Sequence, residues 1–181
     1  AYGDLAVRMG AIPGVRSVEH GNLSSPETLK ILAGKGIYLV PTQTAVVGNA
    51  RKTCKGEIDM SVPEWTRAKG KKYCSRYLEC AKNVSRSNVK IAFGTDLGTF
   101  DFSTNGAVEF SEMVRNGIMP VRALKAATSM AAEMLELNTG SISAGKRADI
   151  VALPGNPFDD IAITEKVGFV MKDGVVYRND N

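Results

Sequence analysis

Two residues of this sequence lie where side-chain chemistry is expected, each just after an apolar segment typical of a buried strand. His20, the only histidine among the 181 residues, follows residues 15–19, and Asp96 follows residues 89–93. The carboxyl ends of parallel strands share one face of an α/β barrel, so the two side chains could meet there. Imidazole and carboxylate together suit a zinc-like metal ion, and an aspartate beside such an ion can act as a general base.

Each of these residues also has a plainer interpretation. His20 could be a hydrogen-bonded histidine at the end of a strand, and Asp96 could cap a helix or a turn. Two donors fall short of the three protein ligands that a catalytic zinc normally takes, and there is no second histidine. On the residues alone, both interpretations stay open.

Other kinds of site have less support in the sequence. It contains no Gly-x-Ser-x-Gly nucleophile motif and no phosphate loop with the full Gly-x-x-x-x-Gly-Lys-Ser/Thr pattern. A nucleotide or sugar-phosphate binder would have only Gly94 and Gly98 to form a phosphate cradle. With 23 basic and 19 acidic residues the formal net charge is +4. The basic residues are scattered along the sequence, so no nucleic-acid surface is predicted. No apolar segment is long enough to span a membrane.

Short apolar segments and segments with helical periodicity alternate along residues 1–137. Strands are expected at residues 15–19, 37–40 and 89–93, and helices at residues 2–10, 24–36, 61–83, 106–116 and 120–137. Because the strand–helix–strand connections are short, this order predicts a parallel sheet covered by helices. Residues 43–60 are polar and irregular, which is typical of a functional loop or a disordered segment.

The pattern changes at Asn138. Short strands are expected at residues 149–153, 168–172 and 175–178, with Asp173-Gly174 at the centre of a hairpin turn. We expect this β-rich segment to lie outside the parallel sheet. The sequence therefore predicts two domains, residues 1–137 and 138–181.

The three cysteines favour a reducing environment. Cys54, Cys74 and Cys80 are odd in number, and their spacing matches neither a zinc ribbon nor a disulfide framework. We therefore expect reduced structural thiols and a cytoplasmic protein. The first residues include no initiator methionine, so the chain is expected to be cut from a longer protein or processed.

Several longer motifs resemble the amidohydrolase superfamily, in particular its prolidase-like branch related to imidazolonepropionase. In chain order they are Ser17-Val18-Glu19-His20-Gly21, Gly94-Thr95-Asp96-Leu97, Ala126-Ala127-Thr128 with Ala131-Ala132, Gly140 to Val151, Asn156-Pro157 and Val170-Met171-Lys172-Asp173-Gly174. The resemblance covers nearly the whole chain in the right order.

The resemblance implies a TIM (β/α)8 barrel with one or two divalent metal ions, zinc by expectation, at its carboxyl face. A metal-bound hydroxide there attacks an amide carbon. His20 would ligate the second metal, whereas Asp96 would ligate the first and shuttle the proton to the leaving amine. Tyr2 matches a tyrosine after the branch's fifth strand and is a candidate substrate-binding residue that donates to the oxyanion.

The resemblance also implies that this chain is a C-terminal portion of such an enzyme. It would hold about the last three barrel strands with their helices and part of a small flanking β-sandwich domain. The family's His-x-His pair, bridging lysine and fifth-strand histidine are absent, so the chain alone is expected to be inactive. Its expected partners are the missing N-terminal barrel portion, a small-molecule or short-peptide substrate, and further copies in a homo-oligomer. The alternative is a non-catalytic degenerate module or assembly subunit that keeps this fold.

Overall fold

The computed structural model of the chain describes residues 1–98, 100–101 and 103–180. Its named strands form two separate three-stranded sheets, one parallel and one antiparallel. The fold of the described residues is therefore mixed α/β, as the sequence predicts.

The elements follow the predicted order with shifted ends. In chain order they are α1 Asp4–Ala11, β1 Ser17–Glu19, α2 Pro26–Gly34, β2 Tyr38–Val40, a π-helix Thr44–Gly48, α3 Asn49–Cys54, α4 Glu64–Arg86, β3 Lys90–Ile91, α5 Val108–Arg115, α6 Pro120–Ala127, α7 Ser129–Met134, β4 Ile150–Ala152, a 3₁₀-helix Ile161–Glu165, β5 Phe169–Lys172 and β6 Val175–Asn179.

The parallel sheet has the order β1-β2-β3, with β2 in the centre. Its register pairs Val18 with Leu39 and Leu39 with Ile91, and all three side chains are buried. Leu29 and Leu32 of α2 belong to the same apolar cluster. Short apolar strands buried by helices are what a parallel sheet requires.

Helix α2 forms the short connection between the parallel strands β1 and β2. Ser25 caps its N-terminus by accepting a hydrogen bond from the Thr28 amide at 3.2 Å, and Pro26 occupies the first helical position. The helix predicted at residues 24–36 is therefore present, and it begins at Pro26.

The prediction of an irregular segment at residues 43–60 is wrong for residues 44–54. Thr44–Gly48 forms a π-helix that continues directly into α3. A short π-helix is a rare element that is frequent at functional sites, and sequence periodicity does not report it.

The expectation of three reduced cysteines is also wrong. Cys54 at the end of α3 forms a disulfide with Cys74 in α4, 20 residues away in sequence, whereas Cys80 is a buried free thiol. Spacing along the chain does not reveal that α3 packs against α4, which is what brings the two sulfurs together. The cysteines therefore no longer favour a reducing compartment.

The single helix predicted at residues 120–137 is two helices. At Thr128 φ is −122° and ψ is −95°, which lies outside the helical region and separates α6 from α7. The apolar periodicity runs through this break, which is why the sequence suggests one helix.

The antiparallel sheet confirms the predicted hairpin. β5 pairs with both β4 and β6, and Asp173 and Gly174 have φ of 51° and 79° between the last two strands. Two consecutive positive φ values are the requirement of a type I′ turn, for which Asp-Gly is a preferred sequence. The boundary at residues 137 and 138 stays a prediction.

None of the helices in the part of the chain that the structure describes is long and apolar enough to cross a membrane.

Candidate active site

The carboxyl edge of the parallel sheet carries backbone strain. His20, Thr42 and Asp96 follow β1, β2 and β3, and they have φ of 71°, 44° and 51°. They are three of the five non-glycine residues with positive φ among the described residues. A left-handed conformation costs a side chain roughly 1–2 kcal/mol. Such strain clusters at functional sites, which makes this edge the first candidate.

His20 is held between the ends of the other two strands. Its amide donates to the Val40 carbonyl at 2.9 Å, its Nδ1 lies 2.8 Å from Thr42 Oγ1, and its Nε2 lies 3.8 Å from Asp96 Oδ2. Thr42 therefore fixes one ring nitrogen and leaves the other facing a carboxylate. If His20 held a metal, Nε2 would carry no proton and Nδ1–H would donate to Thr42, which is the usual orientation of a ligating histidine.

The charge of His20 is set by its surroundings. Burial lowers the pKa of the imidazole, whereas the charge of Asp96 acts in the opposite direction. The net effect is a pKa below the usual 6.5, so the ring is neutral at pH 7. A neutral imidazole is the form that ligates metals.

Tyr2 completes the cluster predicted from the sequence. Its ring stacks on His20 with 4.6 Å between centroids, and the Lys69 ammonium lies 4.9 Å from the Tyr2 centroid. Burial and then the Asp96 charge raise the pKa of the Tyr2 phenol. Tyr2 therefore keeps its proton at neutral pH and can donate a hydrogen bond.

Two glycines allow the strands to approach this closely. A Cβ on Gly94 would lie 2.5 Å from Val40 Cγ1, and one on Gly21 would lie 2.7 Å from Leu39 Cδ1. Gly21 also has a φ of 59°. Larger residues at either position would push the segments that carry Asp96 and His20 away from β2.

The donor set fits part of a metal site. Nε2 of His20 and the carboxylate of Asp96 converge and are of the right chemical type for zinc. Among the described residues there is no group of three or more histidine, cysteine or acidic side chains that could hold a metal. These two residues could therefore contribute to a metal site but do not complete one.

The site includes two residues that the sequence prediction missed, Thr42 and Glu109. Thr42 follows β2 in the same way that His20 follows β1, so the strand-end rule could have found it. Glu109 of α5 is fully buried, and its two oxygens accept from the amides of Gln43 and Thr44 at 2.7 Å each. Burial raises the pKa of Glu109 to about 7 against the lowering effect of these hydrogen bonds. Only the tertiary structure reveals this contact, since the partners are 65 and 66 residues apart.

A cavity of about 360 Å³ opens beside Tyr2, between the π-helix, α3 and α4. Its walls include apolar side chains, three cationic ones and the two acidic ones of Glu57 and Asp59. The apolar residues are Ala45, Val46, Ala50, Ile58 and Val62, and the cationic ones are Lys52, Arg67 and Lys69. This volume lies within the range of small-molecule sites.

Comparison with known proteins identifies the class. Residues 9–178 match the sequence profile of the amidohydrolase family. The chain belongs to this family, which confirms the resemblance noted in the sequence.

The individual relatives are longer than this chain, and their described activities differ. The chain is 27% identical over 186 aligned positions to ochratoxinase of Aspergillus niger, covering 98% of this chain and 37% of the relative. A crystal structure of a Xaa-Pro dipeptidase with methionine bound in its active site superposes with a TM-score of 0.89 at 35% identity. A prolidase complexed with N-methylphosphonate-L-proline superposes with a TM-score of 0.80 at 28% identity. Each of these two comparisons covers 99% of this chain and 44% of the solved chain.

The chain thus spans about two fifths of the length of the relatives that it matches. The described fold is the corresponding part of the larger amidohydrolase fold, as expected. The roles of His20, Asp96 and Tyr2 stay predictions.

Proposed function

We propose that the complete protein containing this chain hydrolyses amide C–N bonds in short peptides or related small molecules. We assign metal binding to His20 and Asp96, proton transfer to Asp96, and oxyanion contact to Tyr2. The observation that carries the proposal is the approach of His20 Nε2 to Asp96 at 3.8 Å while Thr42 holds Nδ1. The Xaa-Pro dipeptidase and prolidase among the similar structures support a peptidase-like activity.

The proposed metal is a divalent ion, with zinc preferred because its ligands are nitrogen and oxygen. When bound, it would supply Lewis-acid polarisation of the substrate carbonyl. Two donors are fewer than the three that a catalytic zinc needs, so we assign the remaining donors to polypeptide outside these 181 residues. The greater length of the relatives supports this assignment. The isolated chain is accordingly expected to bind zinc weakly and to show no turnover.

Asp96 has the chemistry and the access for proton transfer. Its side chain is 56% exposed, so water and substrate can reach the carboxylate. As water oxygen bonds to the carbonyl carbon, Asp96 takes a proton from that water and passes it to the leaving nitrogen. The C–N bond then breaks, and the products are a carboxylic acid and an amine.

Tyr2 is positioned to stabilise charge that develops on the carbonyl oxygen. Its phenol is protonated at neutral pH, as an ordinary tyrosine is, and burial raises its pKa further. Stacking on His20 fixes the ring beside the reacting groups. A preorganised donor of this kind stabilises an oxyanion in the transition state.

The cavity beside Tyr2 supports a small substrate. Apolar walls suit an uncharged side chain, and the ammonium of Lys69 suits a free carboxylate. A short peptide with one apolar residue and a free C-terminus fits both features.

The test is the Asp96→Asn variant of the complete protein, assayed with Xaa-Pro dipeptides in the presence of zinc. We expect kcat/KM to fall by a factor of about 10² to 10⁴, the typical contribution of general acid–base catalysis. Asp101→Asn is the matched control, since Asp101 is a carboxylate that lies close to Asp96 in sequence and whose described side-chain partner is Ser103. Asp96→Asn with unchanged activity would overturn the proposal.

A second candidate is a non-catalytic module that keeps the fold, and the incomplete donor set favours it. Metal content distinguishes the two. About one transition metal per chain in the complete protein as isolated, lost in Asp96→Asn, would speak against the module.

A further inference from the structure

Glu109 is a buried carboxylate to which the proposed chemistry assigns no role. It lies in the first turn of α5, and its side chain is completely shielded from solvent. Its Oε1 accepts from the Gln43 amide and its Oε2 from the Thr44 amide, both at 2.7 Å. A buried carboxylate is costly unless its oxygens are satisfied, and here both oxygens bind the same short segment.

That segment adjoins the candidate site. Gln43 and Thr44 directly follow Thr42, whose backbone is left-handed and whose hydroxyl contacts His20 Nδ1 at 2.8 Å. Asn116, which directly follows α5, provides a second contact, because its Nδ2 donates to the Gln43 side-chain oxygen at 2.8 Å. The position of α5 therefore fixes the backbone that places the Thr42 hydroxyl.

We propose that Glu109 is a positioning residue that holds His20 in one tautomer by fixing Thr42. The inference rests on the proposed function for its consequence in catalysis, but the geometry of His20 can be tested without activity. With Glu109 in place, Nδ1 is reserved for Thr42, and Nε2 faces Asp96. Without it, the amides of Gln43 and Thr44 lose their acceptors, and only the Asn116 contact to the Gln43 side chain still holds the segment. The ring is then free to exchange its proton between the two nitrogens.

A purely structural role would produce a different result. If Glu109 only stabilised the start of the π-helix, replacing it would lower stability and leave the His20 ring unchanged. The state of the His20 ring is therefore the observation that separates the two roles.

Nitrogen-15 NMR of the imidazole provides this observation without ambiguity, because His20 is the only histidine of the chain. We would record it on the 181-residue chain at pH 8. There the carboxyl of Glu109, with a pKa of about 7, is mostly ionised. The unchanged chain should show two well-separated ring nitrogen shifts, which indicate a single tautomer. Glu109→Gln should bring the two shifts together, because one amide of residues 43–44 then faces an NH₂ group instead of an acceptor.

Glu112→Gln is the matched control. Glu112 is a carboxylate on the same helix, but it pairs with Arg51 and Arg115. It should leave the ring shifts unchanged. Circular dichroism would verify that each variant is folded, and Glu109→Asp, whose shorter side chain cannot reach both amides, replaces Glu109→Gln if the latter does not fold.

A folded Glu109 variant that keeps the single tautomer would overturn the inference. In the complete protein, Glu109→Gln should also lower zinc affinity by a factor of about 10 to 100, as is typical when a partner that orients a metal ligand is removed. The two proposals fail separately. Retained activity in Asp96→Asn contradicts the proposed function, whereas an unchanged tautomer in Glu109→Gln contradicts only the role of Glu109.

Discussion

The two sheets of this chain are built from similar residues but differ in what supports them. The strands of the parallel sheet are enclosed by helices, and Leu39 at its centre is completely buried. The antiparallel sheet is largely open, and every residue of β6 is exposed, Tyr177 to 71%. Apolar and β-branched residues thus form both sheets, but only the parallel one is enclosed by a core.

The sheets also differ in how they use left-handed residues. In the antiparallel sheet Asp173 and Gly174 form a hairpin turn, which is stable through local sequence alone. At the edge of the parallel sheet, His20, Thr42 and Asp96 adopt this conformation with no such local motif. Their support comes from distant residues such as Glu109. Strain held by tertiary contacts therefore marks the candidate site, whereas strain in a local turn does not.

Reduction of the disulfide should affect only the parallel half. Cys54–Cys74 closes a loop with a sequence separation of 20, and a bond of this span stabilises a fold by about 3 kcal/mol. We expect Cys54→Ser with Cys74→Ser to lower the free energy of unfolding by about that amount. Hydrogen exchange should accelerate in α3 and α4 and remain unchanged in β5 and β6. Equal acceleration in both sheets would show that they unfold as one unit.

The two halves should respond to pH with opposite sign. The pKa of Glu109 is raised from 4.5 to about 7, chiefly by burial, although Thr44 and Gln43 lower it and Glu112 raises it. A carboxyl with a raised pKa gives stability that is present below pH 4.5 and is lost as pH rises to 7, here about 3 kcal/mol. Asp149, the partly buried residue directly before β4, has a lowered pKa because the Asp173 amide donates to it, so its contribution rises with pH.

Denaturant unfolding between pH 4.5 and 8 checks this contrast. Glu109→Gln should remove most of the loss of stability with rising pH, and Asp149→Asn should leave that loss in place. A loss that persists in Glu109→Gln would assign it to another group.

Two glycine substitutions, one beside each sheet, should produce the smallest of the expected changes in stability. Gly94→Ala places a Cβ 2.5 Å from Val40, and overpacking of this kind costs about 1–3 kcal/mol. Gly174→Ala meets no atom within 4 Å, so only its φ of 79° opposes the change, at a cost of about 1 kcal/mol. Thermal unfolding measures both. In the complete protein Gly94→Ala should also lower activity, whereas Gly174→Ala should not.

Much of this fold follows from local patterns in the sequence. Apolar β-branched segments predict all three parallel strands, and Asp173-Gly174 predicts the hairpin, because these signals lie within a few residues of the structure they specify. His20 and Asp96 are predicted by the strand-end rule, and the structure brings them together. Their expected roles come from the resemblance to the amidohydrolase family and not from their spacing in the sequence.

The parts that the sequence did not reveal depend on contacts between distant segments. The Cys54–Cys74 bond requires α3 to pack on α4, and the contact from Glu109 to Gln43 and Thr44 joins helices far apart in sequence. The break at Thr128 interrupts a continuous apolar pattern. None of these has a local signature, since each is decided by packing.

The most direct test of the proposed site is a double-mutant cycle on kcat/KM in the complete protein, using His20→Ala, Asp96→Asn and the double variant. Residues that act as one catalytic unit are strongly non-additive, so the double variant should be no slower than the slower single variant. Losses that multiply in the double variant, or single variants with unchanged activity, would contradict the account.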